Sequence, residues 1–341
     1  MSQSWGFWSR YKLELLRLYL EAFTTTTKNR SKKCVYLDLF GGDPDNVERD
    51  TLLPIDGSAK IALDITDPPF THLRFFEKEP RASRLGDKLQ ADYPGRDVIV
   101  YSGDCNETIG QALADLHSAD AGWAPTFAFL DPTGPHYQWT TLEKLARHKG
   151  VKAKTKVELW ILFPDPLFMR MLPKSGELRT SDNETITAMY GTPQWHAIFT
   201  ARLTEQITPK EAREEYVNLM RWRLERVLGY RSTHQLEIYN ASGVPLYHMV
   251  FATDSKAGND IMASLYNRAA NEFPDMAKQA KMQRQRKRRE ATGQFDLFSA
   301  AGQPEPSATQ PGRTGKPRKL YKHTPPDEPR EHNDGTCQYC S

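Results

Sequence analysis

Cysteine is scarce: Cys34, Cys105, Cys337 and Cys340 are the four in a chain of 341 residues. They are too few and too dispersed for a disulfide framework and point to a reducing, cytosolic setting. Long hydrophobic runs are also lacking. None approaches the roughly 18 residues that would span a bilayer. The opening "MSQSWGFWSRYKLELL" lacks the basic-then-apolar pattern of a secretory signal. These absences argue against a disulfide-rich secreted domain and a helical membrane protein. The expectation is a soluble, cytoplasmic protein with no membrane partner. Nor does one charge dominate, since 46 basic against 43 acidic residues leave +3. Its distribution matters more, because the C-terminal part is rich in Lys and Arg. No internal repeat is visible.

What is present is a hydrophobic fraction of 38%, enough for one sizeable core with appendages or for two small domains. Trp8, Tyr11, Leu15, Leu18 and Ala22 recur at helical spacing, which predicts an amphipathic helix over residues 5–23 packed on a sheet. The alternative is that Trp5, Phe7 and Trp8 cover a ligand. Five short apolar runs follow: "CVYLDLF" (34–40), "HLRFFEKE" (72–79), "DVIVYSGD" (97–104), "FAFLDP" (127–132) and "VELWILFPDP" (157–166). Between them "RASRLGDKLQADY" and "TLEKLARHKG" read as helices. Buried strands alternating with helices predict a parallel sheet in an α/β domain.

The pattern changes after Pro166. Residues 167–229 read as a mostly helical insertion, with Thr208 as a cap, Pro209 in the first turn, Glu211 completing a capping box and Gly229 as the stop. "HQLEIYNASGVPLYHMVFATDS" then reads as two strands about a turn at 240–243, and "AGNDIMASLYNRAANEF" as a helix. From residue 277 the composition turns basic, then rich in Pro, Gly, Gln and Ser, which cannot bury enough apolar area to fold alone. The expected organisation is an N-terminal helix on the core (1–30), an α/β domain (31–276) and a disordered basic tail (277–341).

In doubly wound sheets ligands bind where strands end at their carboxyl side. The first run ends in "LDLFGG", where Gly41 and Gly42 let the backbone turn tightly and approach a ligand. Asp38 lies within that strand and can orient the loop or a ligand amine; Asp43 and Asp45 add negative charge beyond it. The second run ends at Glu77, which can accept both hydroxyls of a ribose. The third delivers Asp104, able to accept from an adenine amino group. The fourth ends at Asp131 and Pro132, followed by the rings of His136, Tyr137 and Trp139. The fifth reaches Asp165, read as a loop anchor rather than a second acceptor. Each feature is weak alone; their order on four successive strands carries the reading.

That order resembles the class I S-adenosylmethionine-dependent methyltransferases over roughly residues 34–270. "LDLFGG", "FFEKE", "SGDCN" and "FLDPTG" stand as its first four motifs. The resemblance implies a Rossmann-like α/β sheet whose last strand inserts antiparallel, matching the late strand pair. It implies S-adenosyl-L-methionine as cofactor, with the methionine end on Asp38, Phe40, Gly41 and Gly42, the ribose on Glu77 and the adenine on Asp104. A closer resemblance is to the three-Cys-motif partner family, in "YLDLFGG", "GSAKIAL" (57–63), "RFFEKE", "FLDPTG", "LWILFPDP" and "YHMVFAT". That family is implied to work beside a separate radical-type protein carrying three clustered cysteines. "FLDPTG" is also similar to the Asp-Pro-aromatic-Gly motif of tRNA guanine-N2 dimethyltransferases, with Thr133 replacing the aromatic. The resemblance implies that Asp131, followed by Pro132, accepts hydrogen bonds from a target amine, while Tyr137 or Trp139 supplies the stacking ring.

The expected function is a methyltransferase-like protein acting on a base amino group of nucleic acid, in DNA modification or repair. The alternative is a non-catalytic adaptor that brings the three-cysteine partner to DNA. Cys105 reads as a small buried hydrophobe rather than a nucleophile for carbon methylation. Cys337 and Cys340 have the spacing of half a zinc site, which His323 and His332 could complete, but no metal is expected. Lys278, Lys281, Arg284, Arg286, Lys287, Arg288 and Arg289 form a run without acids that should attract phosphates, of DNA more than RNA, without reading sequence. In "GQFDLFSA", Gln294, Leu297 and Phe298 resemble the short peptide by which bacterial repair and replication proteins grip the sliding clamp.

Overall fold

The computed structural model describes residues 3–5, 7–43, 46–48, 54–150, 153–164, 169–173, 177–239 and 244–272. Its main sheet has seven strands. Five are parallel and neighbours in the order β6 (Val98–Ser102), β5 (His72–Glu77), β2 (Val35–Asp38), β7 (Thr126–Leu130) and β8 (Glu158–Phe163). β10 (Pro245–Thr253) lies antiparallel between β8 and the edge strand β9 (Ser232–Tyr239). All residues of β2, β7 and β8 are buried, which is why these segments read as continuous apolar runs.

Side chains alternate across the sheet and divide the core in two. Val35, Leu37, Ala128, Leu130, Leu159 and Ile161 face helices α4 (Cys105–Ser118) and α5 (Trp139–Arg147). The same side takes the helices between β8 and β9: α6 (Thr180–Tyr190), α7 (Trp195–Leu203) and α8 (Pro209–Arg226). Tyr36, Phe75, Phe127, Phe129, Trp160 and Phe251 face α1 (Phe7–Lys28), α2 (Ser58–Asp64), α3 (Arg81–Asp92) and a helix over 256–272, α9. The result is helix, sheet, helix, a three-layer α/β domain.

Two local outcomes follow from the sequence. Helix α8 starts on the expected capping box: the Glu211 amide donates to Thr208 Oγ1 at 3.2 Å and the Thr208 amide to Glu211 Oε2 at 2.8 Å. Helix α1 runs past the expected end at residue 23, because Phe23 is buried and three threonine hydroxyls bond back along the helix. Thr24 donates to the Glu21 carbonyl, Thr26 to that of Ala22 and Thr27 to that of Thr24. A second sheet was not foreseen. Short strands β1 (Gln3–Trp5), β3 (Asn46–Glu48) and β4 (Pro54–Ile55) pair β1 parallel to β3 and β3 antiparallel to β4.

Candidate active site

A cleft of about 630 Å³ opens at the carboxyl ends of the parallel strands. The loop after β2 enters it with Phe40, Gly41 and Gly42, β5 with Glu77, the turn after β6 with Asp104, and the turn after β7 with Asp131 and Pro132. Helix α1 adds Lys12 from the side, and the start of antiparallel β10 adds Tyr247. Asp38 is fully buried and outside the lining, and it reaches the loop through the Phe40 amide.

The loop is tight for a steric reason. The Gly41 amide donates to the Phe76 carbonyl at 2.9 Å, and a Cβ on Gly41 would lie 2.8 Å from Leu85 Cδ2. Gly42 has φ +75°, the left-handed region that favours glycine. Its amide donates to Glu77 Oε2 at 2.9 Å, so the second strand's carboxylate fixes the first strand's loop. Glu77 Oε1 accepts from the Lys78 amide at 2.8 Å and from Arg81 Nη2 at 2.8 Å.

Asp38 accepts from the Tyr36 hydroxyl at 3.1 Å and the Phe40 amide at 3.3 Å. Burial pushes its pKa up to about 6, although hydrogen bonds from Ser58 and Phe40 oppose the rise. Asp104 caps α4, its Oδ1 accepting from the Asn106 amide at 2.9 Å, while Lys78 Nζ meets Oδ2 at 2.8 Å. Burial works to raise its pKa, but the bonds from Lys78 and Asn106 outweigh this and hold the carboxyl below its usual range. Asp43 is buried and paired with Arg84 at 3.0 Å.

The acceptor end carries a feature not read from the sequence. Lys12 Nζ forms an ion pair with Asp131 Oδ2, with side-chain exposures of 5% and 12%, so the pair is largely withdrawn from water. Lys12 Nζ also lies 5.8 Å from the centre of the Tyr247 ring. The Tyr247 hydroxyl is buried without a hydrogen-bond partner among the described residues. Its pKa is raised by burial and further by the charge of Asp131. A signal for Lys12 existed: it sits on the helical stripe of Leu16, Tyr19 and Phe23, all buried. Tyr247 had none, since only strand order brings the start of β10 to this edge.

The structure brings Phe40, Gly41, Gly42, Glu77, Asp104, Asp131 and Pro132 together in the lining of the cleft, whereas Asp38 is buried outside that lining and touches it through the Phe40 amide. It does not bring Tyr137, which is fully buried among core residues and shows no ring face to the cleft. Trp139 is buried too, beneath the Arg223 guanidinium at 4.3 Å; His136 lines the cleft. Cys105 is buried, and its thiol is pushed up to about 12 by burial and the neighbouring Asp104, the opposite of an activated nucleophile. Asp45, Asp165, the seven tail cations, Gln294, Leu297, Phe298, Cys337 and Cys340 lie outside the described residues, as do the side chains of Trp5, Phe7 and Trp8. Among the described residues no group of three or more His, Cys, Asp or Glu could hold a metal ion, and no helix is long and apolar enough to cross a membrane.

Strand order 6-5-2-7-8-10-9, one reversed strand and a cleft at the carboxyl edge together define a class I methyltransferase-like, Rossmann-like fold. No family model matches the chain, and no curated protein matches it. Among solved structures it is similar to protein LPL1258 of Legionella pneumophila, of family DUF519. That match has 11% identity and a TM-score of 0.43, covering 76% of this chain and 92% of the other. It is also similar to M. jannaschii TYW2 in complex with AdoMet, at 10% identity and a TM-score of 0.27, covering 69% and 75% of the two chains.

Proposed function

We propose that the chain is an S-adenosylmethionine-dependent methyltransferase-like protein whose acceptor is an amino group on a nucleic-acid base. The observation that carries this is convergence: the glycine loop after β2 and the carboxylates Glu77, Asp104 and Asp131, delivered by four strands separate in sequence, line one cleft. The residues fit the cofactor on three counts. Gly41, packed without a side chain against Leu85, sets the loop so that Phe40, Gly41 and Gly42 line the cleft. The carboxylates suit a ligand carrying sulfonium and ammonium charges. Tyr247 offers a buried hydroxyl with bonding capacity to spare.

When bound, the cofactor supplies an electrophilic methyl group. Gly41, Gly42 and Phe40 would hold its methionine end, with Asp38 positioning the loop through the Phe40 amide. Glu77, at the end of β5 in the cleft lining, would hold the ribose hydroxyls. Asp104 would accept from the adenine amino group. Asp131, backed by Pro132, accepts from the target amine and orients its lone pair, so that catalysis comes from positioning and electrostatics. Lys12 holds the Asp131 carboxylate in position through their ion pair.

The motif resemblance supports kinship with the three-Cys-motif partner family, and with it a three-cysteine radical-type partner. The basic run supports DNA as the nucleic acid, and Gln294, Leu297 and Phe298 support docking on a sliding clamp during repair. The adaptor is the second reading. The buried ion pair of Lys12 with Asp131 favours it, because it occupies one acceptor oxygen, and Tyr137 presents no stacking ring.

Calorimetry and turnover separate the readings. Wild type should bind S-adenosylmethionine, and Glu77→Ala should bind about tenfold more weakly or worse, as expected for a lost charge-assisted hydrogen bond. Nucleosides from cells with and without the intact gene, analysed by mass spectrometry, should differ in one methylated base. Binding without any methylated product selects the adaptor; no binding at millimolar ligand removes the cofactor.

A further inference from the structure

At the edge of the sheet opposite the cleft the chain gathers cations. Arg30 lies before β2, Lys154 before β8, Arg231 before β9 and Lys256 just after β10. Because β10 runs against the parallel strands, its end and their beginnings share this amino edge. The four side chains, all exposed, line one cavity of about 380 Å³. The sole carboxylate in its lining, Asp254, is already engaged: Lys156 Nζ lies 3.0 Å away and the Arg231 amide donates to it at 3.1 Å.

The neighbouring cations behave differently. Lys28 pairs with Asp67 at 3.1 Å, Lys33 with Asp120 at 3.2 Å and Lys256 with Asp260. Among the described residues, Arg30, Lys154 and Arg231 are in no ion pair. Three uncompensated cations from three elements thus converge on one concavity. Like charges held together repel, and where the one lining carboxylate, Asp254, is already engaged a bound anion relieves them. The start of α9 at the same cavity adds the positive end of a helix dipole.

We propose that this cavity binds the phosphodiester backbone of nucleic acid, as an anchor separate from the carboxylate-lined cleft. Its cations come from segments far apart in the chain, so it grips several consecutive phosphates rather than reading bases. It positions a strand on the molecule and leaves recognition of the acceptor to the cleft. The choice of nucleic acid among polyanions rests on the proposed function; the cation cavity itself does not.

The test uses the full chain, a fluorescein-labelled single-stranded oligonucleotide and a potassium chloride series read by anisotropy. The variant is Arg30→Gln, Lys154→Gln, Arg231→Gln, at exposed positions, with its melting temperature checked against wild type. The variant should bind more weakly. Its plot of log affinity against log salt should be shallower by about 2, since each single-strand phosphate contact carries about 0.7. Its affinity for S-adenosylmethionine should be unchanged. An unchanged slope overturns the proposal, and so does an absence of oligonucleotide binding by wild type. If wild type binds inorganic phosphate, the variant loses it and oligonucleotide affinity does not move, the cavity takes a free anion and the anchor is wrong. Failure of wild type to bind S-adenosylmethionine would sink the proposed function and leave this anchor standing.

Discussion

Asp38 and the pair of Lys12 with Asp131 are buried charges that the cleft must hold in place. Asp38 has a folded pKa of about 6, above its usual 3.8 because of burial. The folded state therefore holds the proton more tightly than the unfolded one. Stability is greatest while the group is protonated and falls as pH rises from about 4 to about 6. Asp38→Asn should remove that fall, a difference on the order of 3 kcal/mol at neutral pH at about 1.4 kcal/mol per unit. Urea unfolding across this range checks it, and parallel profiles for the two proteins would refute it. Lys12→Met leaves Asp131 buried with an uncompensated charge and should destabilise by about 3–5 kcal/mol. The double change Lys12→Met, Asp131→Leu should recover most of the loss. A double change as unstable as the sum of the singles would show that the two side chains act independently.

Among the elements, the loop after β2 couples fold to site most directly. Gly41→Ala puts a methyl 2.8 Å from Leu85 on α3 and 3.5 Å from the Phe76 carbonyl, so loop and helix must part. The expected cost is about 1–3 kcal/mol of overpacking, together with weaker cofactor binding, because the displaced segment carries the Gly42 amide that Glu77 holds. Thr208→Ala is the matching control. It removes a capping box from α8 at about 1 kcal/mol and should leave cofactor affinity alone. If calorimetry shows Gly41→Ala binding as wild type does, the loop is not part of the cofactor site.

For the whole molecule, the two edges of one sheet handle charge differently. At the carboxyl edge Glu77, Asp104 and Asp131 are matched by Arg81, Lys78 and Lys12, whereas at the amino edge Arg30, Lys154 and Arg231 are in no ion pair among the described residues. Neutralising Lys278, Lys281, Arg284, Arg286, Lys287, Arg288 and Arg289 should weaken nucleic-acid binding evenly across sequences. It should also flatten the salt dependence beyond what the amino-edge variant does, since the two sets of contacts add. Anisotropy on oligonucleotides of unrelated sequence measures both; a full salt slope after neutralisation would mean that the run touches no phosphate.

The sequence by itself determined the strands of the main sheet, several of the helices and the acids at the strand ends. Strand interiors such as "VYL" and "LWILF" are apolar because they are buried on both faces, and that pattern is local. The capping box at Thr208 was legible for the same reason: its partners are three residues apart. Only the tertiary structure decided which residues share the cleft beyond those strand ends. Lys12 and Asp131 are 119 residues apart, and Tyr247 reaches the cleft because β10 runs backwards between β8 and β9. Tyr137 shows the converse: an aromatic just past a strand end reads as a stacking ring, yet packing drew it wholly into the core. Periodicity reports which face of an element is buried, whereas what meets that face depends on strand order and direction, which no local window contains.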